Sequence, residues 1–196
     1  MKYVKDFKAI LKDLEPFVRK LKPLHSGRPL ENFSLRPREI WTLWLLCVAL
    51  HKMHHPNITF ADDTESDGIL IDIDAHETIM TENVCALNTP SKKKLPKGEA
   101  RVIQAIESKI KKGPDYAKGK ILTVFFDGAE IWFRNKVREA IRGKHNFERI
   151  YLIGLLTDKK GTEYSYTVTE LYDDYSRTCK VQISPDFTDW TVSVIQ

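Results

Sequence analysis

The sequence predicts a single α/β (α+β) domain built on a mixed β-sheet, and three observations carry that expectation. Apolar residues recur at helical spacing through the first fifty residues, three short strand-like runs follow between Asn57 and Leu87, and beyond Gly98 helical and strand-like segments alternate. Alternation of that kind belongs to a layered sheet with some parallel pairing. A chain of 196 residues suits one domain, and 42% hydrophobic against 30% charged residues excludes disordered and fibrous classes.

Taken in order, YVKDFKAILKDLEPFVRKLK places Val4, Phe7, Ile10, Leu11, Leu14, Phe17, Val18 and Leu21 on one stripe, with Lys5, Lys8, Lys12 and Arg19 off it. This predicts an amphipathic helix, kinked or broken at Pro16. The next helix, RPREIWTLWLLCVALHKMHH, is apolar on most sides and therefore buried; its run from Ile40 to Leu50 is too short to cross a bilayer. NITFA, GILIDID and TIMTENVCAL read as strands, the last two joined by a short polar turn. A Lys-rich loop leads to the helix EARVIQAIESKIKK, the strand GKILTVFFD, the helix IWFRNKVREAIR and the strand FERIYLIGLL. The tail alternates polar residues with Tyr, Val and Ile, which predicts one or two further strands or an edge hairpin. The expected organisation is an N-terminal helical extension over 1–35, a core over 36–157 and a C-terminal β extension over 158–196.

The N-terminus lacks the apolar core of a secretory signal, and Cys47, Cys85 and Cys179 are scattered without CxxC spacing. A cytoplasmic protein with reduced thiols and no membrane partner is expected. The charge is unevenly spread. Residues 57–90 hold eight acids (Asp62, Asp63, Glu65, Asp67, Asp72, Asp74, Glu77 and Glu82) and no Lys or Arg. Residues 1–56 carry eleven Lys/Arg against five Asp/Glu, and residues 91–120 ten against three, so a segment of −8 lies between segments of +6 and +7. Carboxylates holding a cation within a surface that attracts a polyanion would be arranged this way, as would charged strand edges that block edge-to-edge pairing.

Helix, strand, strand, strand, helix, strand, with acids on the second and third strands, resembles the PD-(D/E)xK nuclease superfamily. Its restriction-endonuclease-like fold has an α-β-β-β-α-β core. Ser66-Asp67-Gly68 matches the first half-motif, with Asp67 as the metal-binding aspartate, and Glu82-Asn83-Val84 matches the second, with Glu82 as the acid. Glu39, in the helix before the sheet, stands where many members carry a further acid. The resemblance implies hydrolysis of phosphodiester bonds in DNA or RNA with Mg²⁺ or Mn²⁺ as cofactor and nucleic acid as partner. Ser66 replaces the usual proline. Val84 replaces the lysine expected to activate water or to stabilise charge on the phosphate. Members that draw this lysine from elsewhere direct attention to Lys109 on the following helix and to Lys92, Lys93, Lys94 and Lys97 in the loop, which also suit phosphate contacts. A non-cleaving member, binding nucleic acid only, is equally consistent with Val84.

The chemistry requires Asp67 and Glu82 to converge. Strand alternation puts Asp67 with Ile69, Ile71 and Ile73, and Glu82 with Met80, Val84 and Ala86. A two-residue turn at Asp74-Ala75 or a four-residue turn from Asp74 to Glu77 puts both sets on one face, whereas a three-residue turn without a bulge does not. On one face the two carboxylates would lie beside an apolar patch, costly without a cation. Asp72 and Asp74 then fall on the opposite face.

Other motifs compete. His51, His54 and His55 have helical metal spacing but equally suit a helix C-terminus ending at Pro56. Lys109, Lys111 and Lys112 read by default as a solvated face. Tyr164, Tyr166, Tyr172, Tyr175, Phe187 and Trp190 suit base stacking or ordinary strand packing. No P-loop, esterase elbow or dinucleotide-binding motif is present. Three classes therefore stand: a metal-dependent nuclease, a nuclease-fold module that binds nucleic acid without cutting, and a protein-interaction domain whose partner is another protein or, as a homodimer, a second copy of the chain.

Overall fold

The structure, a computed structural model, describes residues 3–20, 24, 26–31, 33–53, 55–63, 66–87, 96–126, 132–157 and 163–196. It is a mixed α+β fold. Helices α1 (Phe7–Val18) and α2 (Pro37–Lys52) precede strands β1 (Ile58–Ala61), β2 (Ile69–Asp72) and β3 (Glu77–Cys85). Helices α3 (Glu99–Ile110) and α4 (Pro114–Ala117), strand β4 (Lys120–Phe126), helix α5 (Arg134–Ile141) and strand β5 (Arg149–Thr157) follow. Strands β6 (Tyr164–Leu171), β7 (Ser176–Ile183) and β8 (Trp190–Val194) complete the chain.

The eight strands form one sheet in sequence order. β1, β2 and β3 pair antiparallel, β3, β4 and β5 pair parallel, and β5 to β8 pair antiparallel. Two parallel joints in succession require crossovers, and α3 and α5 supply them. Among the described residues the tail thus contains three strands, where its alternation predicted one or two further strands or an edge hairpin.

Two apolar layers flank the sheet. α2 starts with Pro37 at its first position, and the Glu39 carboxylate accepts the Arg36 N–H at 2.8 Å. Its apolar residues from Ile40 to Leu50 are buried almost all round, with Trp41 and Trp44 stacked at 5.1 Å. α2 packs against β1 near one edge of the sheet and β7 and β8 at the other, so the sheet curls around it. On the opposite face α3 and α5 bury Val102, Ile106, Val137 and Ile141 against Leu122, Val124, Ile150 and Leu152. β4 is consequently buried on both sides, as an interior parallel strand must be.

Asp6 caps α1 by accepting the N–H groups of Lys8 and Ala9 at 2.9 and 3.0 Å. Pro16 does not break this helix, which runs on to Val18. The proline lies in the last turn, where one backbone hydrogen bond is lost, while Leu14 and Val18 on either side are sealed in the core. The aromatic tail is mainly core as well: Tyr164, Tyr166 and Phe187 are buried, and Trp190 packs edge-on against Trp44. Tyr172 and Tyr175 stack on one another at 4.2 Å beside the β6–β7 turn. His51 bonds the Ile58 carbonyl through Nε2 at 2.7 Å, a packing role. His54 and Glu65 lie outside the described residues. Among the described residues no helix is long and apolar enough to cross a membrane.

Candidate functional site

Register decides whether the two motif acids meet. β2 and β3 pair Ile69 with Met80 and Asp72 with Glu77, leaving residues 73–76 as the turn. This is the register expected of a two-residue turn at Asp74-Ala75, opened by one pair. Asp72 Oδ1 closes the turn by accepting the N–H groups of Asp74 and Ala75, and His76 takes a positive φ of 56°. Carried two residues beyond Ile69 and Met80, the register sets Asp67 opposite Glu82.

The start of β2 is pinned locally. The Gly68 carbonyl accepts Thr81 N–H and Thr81 Oγ1–H, each at 2.8 Å, and Ser66 Oγ lies 2.8 Å from it. Gly68 has φ +117°, and a Cβ there would stand 2.5 Å from Leu43 Cδ1. Only glycine fits both the backbone conformation and the close approach of α2. Asp67 is thereby turned toward β3, where its Oδ2 accepts the Asn83 N–H at 2.7 Å.

Glu82 lies on the face covered by α3, as does Val84, which packs into the apolar layer there. α3 brings a lysine to this same face. Lys109 continues the buried stripe of Val102, Ala105 and Ile106, and its side chain is 13% exposed rather than solvated. Its ammonium is 2.9 Å from Glu82 Oε2 and 3.7 Å from Asp67 Oδ2, so Asp67, Glu82 and Lys109 come together.

Three residues that the motif reading missed complete the cluster. Lys120, the first residue of β4, reaches Glu82 Oε1 at 3.1 Å. Tyr116 on α4 donates its hydroxyl to Glu82 Oε2. Lys109 and Lys112 in turn donate to the Tyr116 oxygen at 3.1 and 3.2 Å. The only trace of this in the sequence is the lysine spacing of KKGPDYAKGK around one tyrosine. Three lysines and two carboxylates leave the cluster formally at +1. The uncompensated carboxylate pair expected from strand alternation is therefore replaced by an ion-paired network.

The pKa directions follow. Burial works to raise Glu82, but the hydrogen bonds from Tyr116, Lys109 and Lys120 outweigh it and hold the carboxyl below its ordinary range. Burial works to lower Lys109, and the hydrogen bonds to Glu82 and Tyr116 prevail, so it is held above its ordinary value. Burial pushes the nearby Cys85 thiol up to about 11; the charges of Arg38, Glu39, Asp67 and Lys109 all reach it.

Glu39 stands on this side of α2 as a helix cap, with Oε1 3.4 Å from Arg38. Lys97 is exposed before α3, whereas Lys92, Lys93 and Lys94 lie outside the described residues. Of the other acids, Asp62 takes the Ser34 N–H and hydroxyl, Asp63 lies 2.6 Å from Ser66 Oγ, and Asp74 accepts Asn57 Nδ2.

Carboxylate oxygens on facing strands are the hard donors that Mg²⁺ and Mn²⁺ prefer, and Asp67 Oδ1 takes no hydrogen bond from the described residues. Asp67 and Glu82 thus fit such an ion in chemistry, provided that Glu82 gives up a donor. Among the described residues no group of three or more His, Cys, Asp or Glu converges. Compared with known protein families, curated proteins and solved structures, the chain shows no match to any of them.

Proposed function

We propose that the chain is a metal-dependent nuclease of the PD-(D/E)xK type that hydrolyses phosphodiester bonds in DNA or RNA. The observation that carries this reading is the position of Lys109, whose ammonium supplies from α3 the charge that Val84 cannot. The order α2, β1, β2, β3, α3, β4, with an antiparallel β2–β3 hairpin and a parallel β3–β4 joint, supports it.

Asp67 and Glu82 would hold the divalent cation, which when bound supplies Lewis-acid activation of water and of the phosphate. Lys109 acts by charge. As an ammonium it would stabilise negative charge developing on a phosphate oxygen rather than remove a proton. Asn83 fixes Asp67 through its backbone N–H, and Tyr116 holds Glu82 and Lys109 in one arrangement. Lys97, with Lys92, Lys93 and Lys94, would draw in the polyanion.

Incubating single- and double-stranded DNA and RNA with Mg²⁺ or Mn²⁺ tests this directly. Cleavage should fall by about 10²-fold or more in Asp67→Asn and in Lys109→Met. Absence of cation-dependent cleavage by the wild type would overturn the reading. The alternative, a nuclease-fold module that binds without cutting, is favoured by a specific observation: the lysines already satisfy Glu82. Salt-sensitive binding without cleavage would select it.

A further inference from the structure

The two oxygens of Glu82 are not equivalent. Oε2 is shared by Lys109 and Tyr116, whereas Oε1 is held by Lys120. Lys109 also lies 3.7 Å from Asp67 Oδ2, an oxygen distinct from the Oδ1 open to a cation, and so keeps a carboxylate contact if Glu82 is withdrawn. Lys120 has no second carboxylate among the described residues; its other neighbour is the Tyr116 ring, 4.6 Å from its ammonium.

From this asymmetry we infer that Lys120 is an exchangeable counter-ion: it holds Glu82 in the metal-free protein and passes to a phosphate oxygen of the nucleic acid when a divalent cation takes Glu82. The inference rests on the nuclease reading and adds to it a coupling between cation and substrate. A divalent ion and an ammonium repel at contact distance, so both cannot use Oε1. The donor with least to lose leaves. The backbone of Lys120 is fixed by its register with Met80 in the sheet, but its four-carbon stem can swing, and the side chain is already 17% exposed. Once displaced it carries an unpaired positive charge, and the divalent cation raises the cluster to which it belongs from a formal +1 to +3. A phosphodiester anion is the group that would neutralise it. Lys120 therefore makes the cation and the phosphate cooperative, and the reciprocity of linked equilibria requires each to tighten the other by the same factor.

The test is a calorimetric Mn²⁺ titration of wild type, Lys120→Met and Lys118→Met, with and without an uncleavable phosphorothioate DNA oligonucleotide. Lys118 is exposed on the same turn, so its variant removes the same charge without touching Glu82. Without oligonucleotide, Lys120→Met should bind Mn²⁺ about tenfold more tightly than wild type, and Lys118→Met should match wild type. The oligonucleotide should tighten Mn²⁺ binding to wild type about tenfold and leave Lys120→Met unmoved. Lys120→Gln keeps a hydrogen-bond donor and should shift affinity in the same direction, which guards against a folding defect in the methionine variant. Mn²⁺ bound only by the variants also supports the exchange. Equal or weaker Mn²⁺ binding by Lys120→Met, or equal tightening by Lys118→Met, overturns the exchange while leaving the metal site standing. Absence of Mn²⁺ binding in wild type and both Lys120 variants overturns the exchange and the metal reading together.

Discussion

Replacing Glu82 with glutamine separates an ion-paired network from a bare carboxylate pair, because the two arrangements predict opposite signs. Two carboxylates in an apolar setting repel, and neutralising one would leave the protein as stable or more stable. The structure places two ammonium groups at 2.9 and 3.1 Å and a tyrosine hydroxyl on a carboxylate whose side chain is 8% exposed. Breaking a buried pair from one side costs about 3–5 kcal/mol. Lys109 and Lys120 retain 13% and 17% exposure, so water recovers part of that, and a loss of about 2–4 kcal/mol is expected. For a chain of this size that corresponds to a Tm lower by roughly 5–15 °C. Thermal unfolding followed by circular dichroism at pH 7, without divalent ions, measures it. The pH dependence is a second check. Glu82 titrates below its ordinary 4.5 in the folded state, so its stabilisation is complete above 4.5 and is lost as pH falls through the folded value. The gap between wild type and variant should hold from pH 7 to about 5 and close below that. A variant as stable as wild type at pH 7, or a gap unchanged toward pH 3, would refute the network.

Gly68→Ala should cost about 2–4 kcal/mol, because it forces a side chain into φ +117° and toward Leu43 of α2; chemical denaturation would show it, and a neutral result would mean that this turn is not held as described. Asp72→Asn should change stability by less than about 0.5 kcal/mol and leave Mn²⁺ binding intact, since an amide oxygen can still close the 73–76 turn and the residue lies outside the Asp67–Glu82 cluster. Loss of Mn²⁺ binding in that variant would place the cation elsewhere in the acidic segment.

Local chemistry made most of the elements legible. Periodicity located both N-terminal helices, the β2–β3 hairpin and α3, because each buries a face whose spacing is written in consecutive residues. A break at Pro16 does not follow from local propensity alone, because the burial of Leu14 and Val18 that carries α1 past it comes from α2 and the sheet. The strand count of the tail was hidden because Phe187, at φ 55°, sits buried in the turn between β7 and β8, so an apolar residue there does not mark a strand.

The site divides along the same line. Asp67 and Glu82 could be paired on paper because a hairpin register depends only on the residues between them. Lys109 carried a readable signal, since it continues the stripe of Val102, Ala105 and Ile106, and a lysine on a buried stripe must find a carboxylate. Lys120 and Tyr116 carried only the spacing of lysines around one tyrosine, which does not say where they point. They reach Glu82 only because β3 and β4 are parallel with Met80 beside Lys120, a register set by the α3 crossover and by no local pattern. The difference matters for function: the legible acids alone describe a site that needs a cation to be stable, whereas the lysines brought by the fold make it stable without one. The cation proposed for this site would have to compete for Glu82 against an ammonium already in place, and its occupancy would depend on what else can take that ammonium.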